Sequence, residues 1–311
     1  MKIRFGLLSG AAVLAPITVG MLASASAVAQ DESTVAPSVE EVVVSATRRG
    51  DTNIQDTPIA ITALTGDALA EMGAHDFEDF FRTVPGISFT NKGVGEQQYI
   101  IRGVSGVGAG TVGLYFDDIA ITGSTLSSPI VKLFDIDRIE VLRGPQGTTF
   151  GSSSLSGTIR WLPAKAKYDV FEASVGAEVS STRHSDDLGS IFDGMVNLPL
   201  VNEKLALRLS GTVIDGAGYI DNRFQKDANT EKSNALRAML SWSVTDDLEV
   251  STMSMFQNVD AGERHYYQKE NLDMPFSPTL NGGALPDEFY SNVLSRGITE
   301  DELELHSVKA G

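Results

Sequence analysis

Few side chains in this sequence are arranged for bond-making chemistry. The four histidines, His75, His184, His265 and His306, share no metal-ligand spacing, and cysteine is absent, which removes disulfides, thiolate metal sites and cysteine nucleophiles together. No nucleophile has a base at an interpretable spacing and no carboxylate pair stands out, so catalysis, cofactors and bound metals are not expected. The run Gly108-Ala109-Gly110-Thr111-Val112-Gly113 matches the dinucleotide fingerprint letter for letter, but Leu114-Tyr115-Phe116 continues as a strand where that motif must open a helix. The chemistry on offer is non-covalent. Glu41, Val42, Val43, Val44, Ser45, Ala46 and Thr47 form a β-prone segment whose extended backbone can pair with an edge strand of a partner, or serve simply as the first strand of the fold. Arg102 and Arg143 each precede a glycine at the end of an apolar run, where a guanidinium with five donors needs carboxylates, either Asp135, Asp137 or Glu140 nearby or groups from elsewhere.

What precedes this segment indicates the compartment. Lys2 and Arg4 give a basic start, residues 5–22 are apolar but interrupted by Gly6, Ser9, Gly10, Pro16 and Gly20, and Ala27-Val28-Ala29 offers small residues for cleavage before Gln30. That is the layout of a secretory signal peptide, residues 1–29, rather than of a membrane anchor. The 24 Lys+Arg and 41 Asp+Glu give a net charge of −17, made two units more negative by losing Lys2 and Arg4 with the leader. Such a chain repels phosphate backbones, which argues against nucleic acid as a partner.

An arm of residues 30–50 leads into a mixed α/β unit, residues 51–165. Thr65 before Asp67-Ala68-Leu69 predicts a helix start, and residues 76–81 predict a second short helix that ends before Pro85. Residues 98–102, 112–121, 139–143 and 157–162 predict four strands, enough for a small sheet. Gly144, Gly147 and Gly151 read as turn devices needing positive φ or a close backbone approach.

From residue 166 the period becomes two. Phe171, Ala173, Val175, Ala177 and Val179 alternate with polar or small residues, and the pattern returns at Leu205, Leu207 and Leu209 and at Leu236, Leu240 and Trp242. Less regular versions cover 189–200, 248–256 and 303–311. Connections alternate between tight turns at 201–203 and 245–247 and longer polar loops at 181–188, 215–232 and 258–299. Short turns on one rim and long loops on the other mark a transmembrane β-barrel. A soluble sandwich also alternates but has no reason to segregate loop lengths by edge.

The opening strand with Ser45-Ala46-Thr47-Arg48-Arg49, then Pro58-Ile59-Ala60-Ile61-Thr62, Val84-Pro85-Gly86-Ile87, Ile101-Arg102-Gly103, Gly113-Leu114-Tyr115-Phe116-Asp117-Asp118 and the run from Ile139-Glu140-Val141-Leu142-Arg143 through Gly144-Pro145-Gln146-Gly147 to Gly151 resemble the plug domain of TonB-dependent outer-membrane receptors. After Gly151 the sequence departs from that family's usual small residues and Gly-Gly pair, reading Ser152-Ser153-Ser154-Leu155-Ser156-Gly157. The resemblance implies an α+β plug domain, a small mixed sheet with short helices, followed by antiparallel transmembrane β-barrel strands. It makes Glu41 to Thr47 the TonB box, which meets the TonB C-terminal domain. Arg102 and Arg143 become a plug–barrel lock with glutamates of the barrel wall, on later strands than this chain contains. Asn91, Lys92, Glu96, Gln97 and Ser105, on loops facing the ligand vestibule, become candidate substrate contacts, while His265-Tyr266-Tyr267 in the longest loop could stack on a ligand but reads better as part of an aromatic belt or as loop packing. Six extended segments cannot close around a plug when plugged barrels use about 22 strands, so the barrel, residues 166–311, is expected to be incomplete, as in an N-terminal fragment or truncated product. The implied function is active uptake of a scarce bulky solute such as a ferric siderophore by an outer-membrane receptor of a Gram-negative bacterium, monomeric when full length and energised by the proton motive force through TonB. The alternatives are a nonfunctional remnant and a passive porin.

Overall fold

The computed structural model describes residues 43–45, 52–57, 59–91, 97–106, 110–123, 128–222, 225–262, 290–291 and 299–311. The expected leader, most of the arm including Glu41, Val42, Ala46 and Thr47, the loop residues Lys92 and Glu96, and His265-Tyr266-Tyr267 lie outside the described residues.

Two short strands come first, β1 (Val43–Val44) and β2 (Thr52–Asn53), paired antiparallel. The plug follows as β3 (Ala60–Thr65), α1 (Gly66–Glu71), α2 (Phe77–Phe80), β4 (Ile87–Asn91), β5 (Gln97–Ile101), β6 (Val112–Phe116), β7 (Ile119–Ala120), β8 (Ile136–Arg143), α3 (Gly147–Phe150) and β9 (Gly157–Pro163). Both predicted helices start where a side chain can satisfy an orphan N–H: Thr65 Oγ1 accepts from Ala68 N at 3.3 Å, and Asp76 and Asp79 form a reciprocal capping box on α2.

The central sheet has the order β3-β8-β9-β6-β7, with β6 and β9 parallel and the other pairs antiparallel. This differs from four strands in one sheet. The run at 98–102 pairs with β4 as a separate hairpin, and the β3 run supplies an outer strand instead. The run at 112–121 is broken where Asp117 takes a positive φ of 57° and turns the chain into β7. Gly144 and Gly151 do have positive φ, 121° and 77°, whereas Gly147 opens α3. Beneath the sheet lies an aromatic core in which Phe77 meets Tyr99 edge-on at 4.8 Å and Phe80 at 4.9 Å, with Trp161 fully buried beside them.

The wall comprises β10 (Glu172–Ser181), β11 (Leu188–Val201), β12 (Leu205–Gly216), β14 (Glu231–Thr245), β15 (Leu248–Ala261) and β17 (Thr299–Ala310), while β13 (Asp221–Asn222) and β16 (Tyr290–Ser291) pair with each other between the long loops. The six wall strands form one antiparallel sheet in chain order, with β10 and β17 at its edges, so the barrel is not closed among the described residues. Val175, Val179, Phe192, Leu236, Trp242 and Val308 point outward and remain exposed, as a lipid-facing surface requires. The opposite face meets the plug. There β15 turns Met253 and Met255 inward while Phe256 points outward, which puts apolar side chains on both faces and explains its less regular alternation in the sequence.

Candidate functional site

A plug segment with no strand partner of its own, residues 128–135, runs down the inner face of the wall. Its backbone groups are buried and must find donors and acceptors there. Gln257 of β15 serves as a substitute strand: its Nε2 donates to Ile130 O at 2.6 Å and its Oε1 accepts from Lys132 N at 3.1 Å. Asp301 of β17 accepts from Ile130 N at 3.3 Å, and Leu133 N donates to His75 O at 2.8 Å. The Lys132 ammonium, nearly fully buried, lies 2.5 Å from Glu231 of β14 and 3.4 Å from Asp76 of the plug. Burial alone would lower the Lys132 pKa, but the two carboxylates outweigh it and hold it above the ordinary lysine value.

At the lower end of this strap, toward the short-turn rim, Asp135 adopts a positive φ of 51° and points its carboxylate at two wall arginines. Arg208 of β12 binds it through both a 2.8 Å and a 2.5 Å hydrogen bond and also reaches Glu172 at 3.2 Å. Arg237 of β14, 1% exposed, donates Nη2 to Asp135 O at 2.5 Å, to Phe134 O at 3.1 Å and to Asp135 Oδ2 at 3.3 Å. Its guanidinium carbon lies 4.7 Å from the Phe134 ring centre and 5.8 Å from that of Phe116.

The contacts at Asp135 have the polarity opposite to that expected of Arg102 and Arg143, a plug carboxylate on wall guanidinia, whereas Lys132 on Glu231 has a plug cation on a wall carboxylate. Arg143 donates to Pro85 O at 3.2 Å, and Arg102 is exposed with a positive φ of 53°, its Nη1 beside Gly144. Neither has a carboxylate partner among the described residues. The local candidates are taken, Asp135 by the wall, Asp137 by Arg138, and Glu140 by Arg138 and Arg160. Parity explains the last: Arg143 lies three residues from Glu140 on β8 and so projects from the other face.

The N-terminal strand is docked on the plug. Val44 is fully buried, and Ser45 N donates to Glu140 Oε1 at 2.9 Å while Ser45 Oγ accepts from Arg160 Nη1 at 3.0 Å and Arg138 Nη2 at 3.3 Å. Among the loop candidates, Asn91 donates to Glu78 at 3.0 Å and Ser105 is exposed. Gln97 is buried and accepts from the Tyr99 hydroxyl at 2.9 Å, whose pKa burial, with Asp76 and Asp301 nearby, pushes well above its ordinary value. A cavity of about 1390 Å³ separates α1 and the lower strap from the wall, with Asp67, Arg138, Glu178, Asp193 and Lys309 among its lining charges.

Sequence reasoning did not single out Lys132, Arg208, Arg237 or Gln257, and it weighed Asp135 as a local partner of Arg102 or Arg143 rather than of the wall. Alternation did place Arg208 and Arg237 on the polar face of their strands, and a charge facing a lumen that contains a plug is the signal that could have found them.

A model of the TonB-dependent Receptor Plug Domain matches residues 53–158. The ferrioxamine B receptor of Salmonella typhimurium strain SL1344 is 28% identical over 262 residues, which is 80% of this chain and 34% of that protein. The ferrichrome outer membrane transporter/phage receptor of Escherichia coli K12 is 22% identical over 257 residues, 81% of this chain and 32% of that one. Among solved structures, the ferric yersiniabactin uptake receptor of Yersinia pestis aligns with a TM-score of 0.64 at 19% identity over 81% of this chain and 38% of its own. The ferripyoverdine receptor of Pseudomonas aeruginosa aligns with a TM-score of 0.64 at 19% identity over 86% and 33%. The chain therefore spans about a third of the length of these relatives. Residues 53–158 are a TonB-dependent receptor plug domain and the six strands after it are wall strands of the barrel that houses such a plug, so the chain is part of a TonB-dependent receptor.

Proposed function

We propose that this protein is an outer-membrane receptor of a Gram-negative bacterium that takes up a ferric siderophore, driven by the proton motive force through the TonB C-terminal domain. In this reading residues 1–29 are a leader, 30–50 an arm carrying the TonB box at Glu41 to Thr47, 51–165 the plug and 166–311 wall strands bathed in outer-membrane lipid. The full receptor acts as a monomer and performs no catalytic step. The observation that carries the reading is the docked N-terminal strand. It is held by a two-residue strand pairing and a serine on a plug otherwise clamped to the wall by buried charges, so a partner that grasps it pulls on a seated stopper. The names of the relatives, receptors for ferrioxamine B and ferrichrome among them, support an iron chelate as cargo.

Val43→Pro tests this in the full-length receptor, because proline removes the N–H at that position and fixes φ. Uptake of the ferric siderophore should fail while its binding to cells persists. Uptake at the normal rate would remove this segment from the mechanism.

A further inference from the structure

A continuous line of charged groups joins the barrel wall to the docked N-terminal strand. Lys309, near the short-turn end of β17, lies 2.6 Å from Asp117 and also contacts Asp118, both in the turn between β6 and β7. Asp118 accepts Arg160 Nη2 at 3.2 Å, and Arg160 Nη1 donates to Glu140 at 2.8 Å and to Ser45 Oγ at 3.0 Å. The second Glu140 oxygen accepts Ser45 N and Arg138 Nε, each at 2.9 Å. Glu140 is fully buried and the Arg160 side chain is 3% exposed, so neither can turn to water if its partner leaves.

We propose that Glu140 and Arg160 latch the N-terminal strand and that Lys309 of the wall sets the strength of that latch. Asp117 and Asp118 are adjacent carboxylates on a turn with positive φ, and Lys309 offsets their mutual repulsion. With Lys309 in place Asp118 stays where it can hold Arg160 Nη2, which aims Nη1 at Glu140 and Ser45. With Lys309 withdrawn the two carboxylates separate, Arg160 follows Asp118, and Ser45 loses the nearer of the two donors to its hydroxyl. The opposite end of β17 carries Asp301, which holds the strap at Ile130. One wall strand therefore touches both the strap and the latch, and a shift of that strand reaches the N-terminal segment without crossing the plug core.

The proposal rests on the reading of this segment as the one TonB grasps, and two measurements separate them. Hydrogen exchange at the Ser45 amide reports the latch, with the amides of β3 as an internal standard for plug integrity, in the full-length receptor in outer-membrane vesicles. Lys309→Met should raise Ser45 opening several-fold with β3 unchanged, since this partly exposed contact is a modest one. Glu140→Gln should raise it roughly 100-fold by taking the carboxylate from the buried Arg160 and the half-buried Arg138. Unchanged Ser45 exchange in Lys309→Met, or β3 loosening by the same factor, overturns the latch whether or not Glu140→Gln folds. Binding of the purified TonB C-terminal domain should rise with Ser45 opening. Opening without TonB binding to either protein upholds the latch and removes the TonB reading, whereas normal TonB binding with no change in opening does the reverse.

Discussion

Asp135→Asn isolates the charge at the centre of the plug–wall contact. The substitution keeps size and shape, and asparagine tolerates the positive φ of 51° found there, so the backbone is not the variable. What changes is that two wall guanidinia lose their shared carboxylate. Arg208 retains Glu172 at 3.2 Å, a group 29% exposed and therefore screened. Arg237 retains the carbonyls of Phe134 and Asp135 and the faces of Phe134 and Phe116, with no other carboxylate on it among the described residues. Removing one partner of a buried pair costs about 3–5 kcal/mol, and the retained partners place this case near the lower end, about 3 kcal/mol. At about 1.4 kcal/mol per factor of ten this is roughly a 100-fold rise in the opening of the strap. Amide exchange at Ile130 and Lys132, measured on the receptor in outer-membrane vesicles, reads that opening directly, because both amides are bonded to wall side chains. A companion variant, Asp135→Leu with Arg208→Met and Arg237→Met, should restore protection, since apolar replacement of a whole buried ionic cluster is neutral or stabilising. Exchange within about twofold of the parent in Asp135→Asn, below about 0.5 kcal/mol, would refute the assignment of these charges as the clamp.

Three further outcomes are expected. On the proposed reading Val175, 75% exposed near the middle of β10, is set against lipid, so Val175→Arg should cost about 2–4 kcal/mol at the bilayer midplane and reduce the heat-modifiable, outer-membrane-assembled fraction. A Cβ at position 157 would sit 2.4 Å from Leu142 O and 2.6 Å from Ile101 Cδ1, so Gly157→Ala should destabilise the plug by about 1–3 kcal/mol and lower its resistance to protease. Because the Lys132 pKa is raised in the folded state, its contribution is fully present below the unfolded value of about 10.4 and is lost only as pH climbs through the higher folded value. Strap proteolysis should then be flat from pH 7 to 10, and loosening at pH 8 would contradict the assignment.

The two helix starts, most plug strands and all six wall strands were legible because each rests on local chemistry. Thr65 and Asp76 cap whatever follows them, and a period of two at Phe171 to Val179 reports a one-sided environment wherever that strand is placed. Sheet membership was not legible, since β5 and the runs that join the central sheet look alike and only long-range pairing separates them. The clamp was partly legible. Parity put Arg208 and Arg237 inside, but nothing near Asp135 in sequence marks it as their acceptor, because the contacts span 73 and 102 residues. Arg102 and Arg143 drew attention through their glycine neighbours, and the wall glutamates expected to meet them belong to later strands than those described.

The composition of the contact bears on how a seated plug can also be displaced. Apolar area adheres without regard to register, and a strap of Leu and Ile on a wall of the same would bind more tightly the more it buried. A buried ionic cluster behaves differently: the cost of desolvating Lys132, Asp135, Arg208 and Arg237 offsets most of their mutual attraction, so the net adhesion is small while any misplacement strands a charge. Gln257 adds to this, because its paired bonds to Ile130 and Lys132 are satisfied in one register and orphaned in the next. The contact therefore fixes where the strap sits far more firmly than it fixes that it sits there at all. On the proposed function that combination suits a stopper which must return to one position after each displacement, and it predicts that the companion variant with Asp135, Arg208 and Arg237 made apolar, though better protected, takes up the ferric siderophore more slowly than the parent.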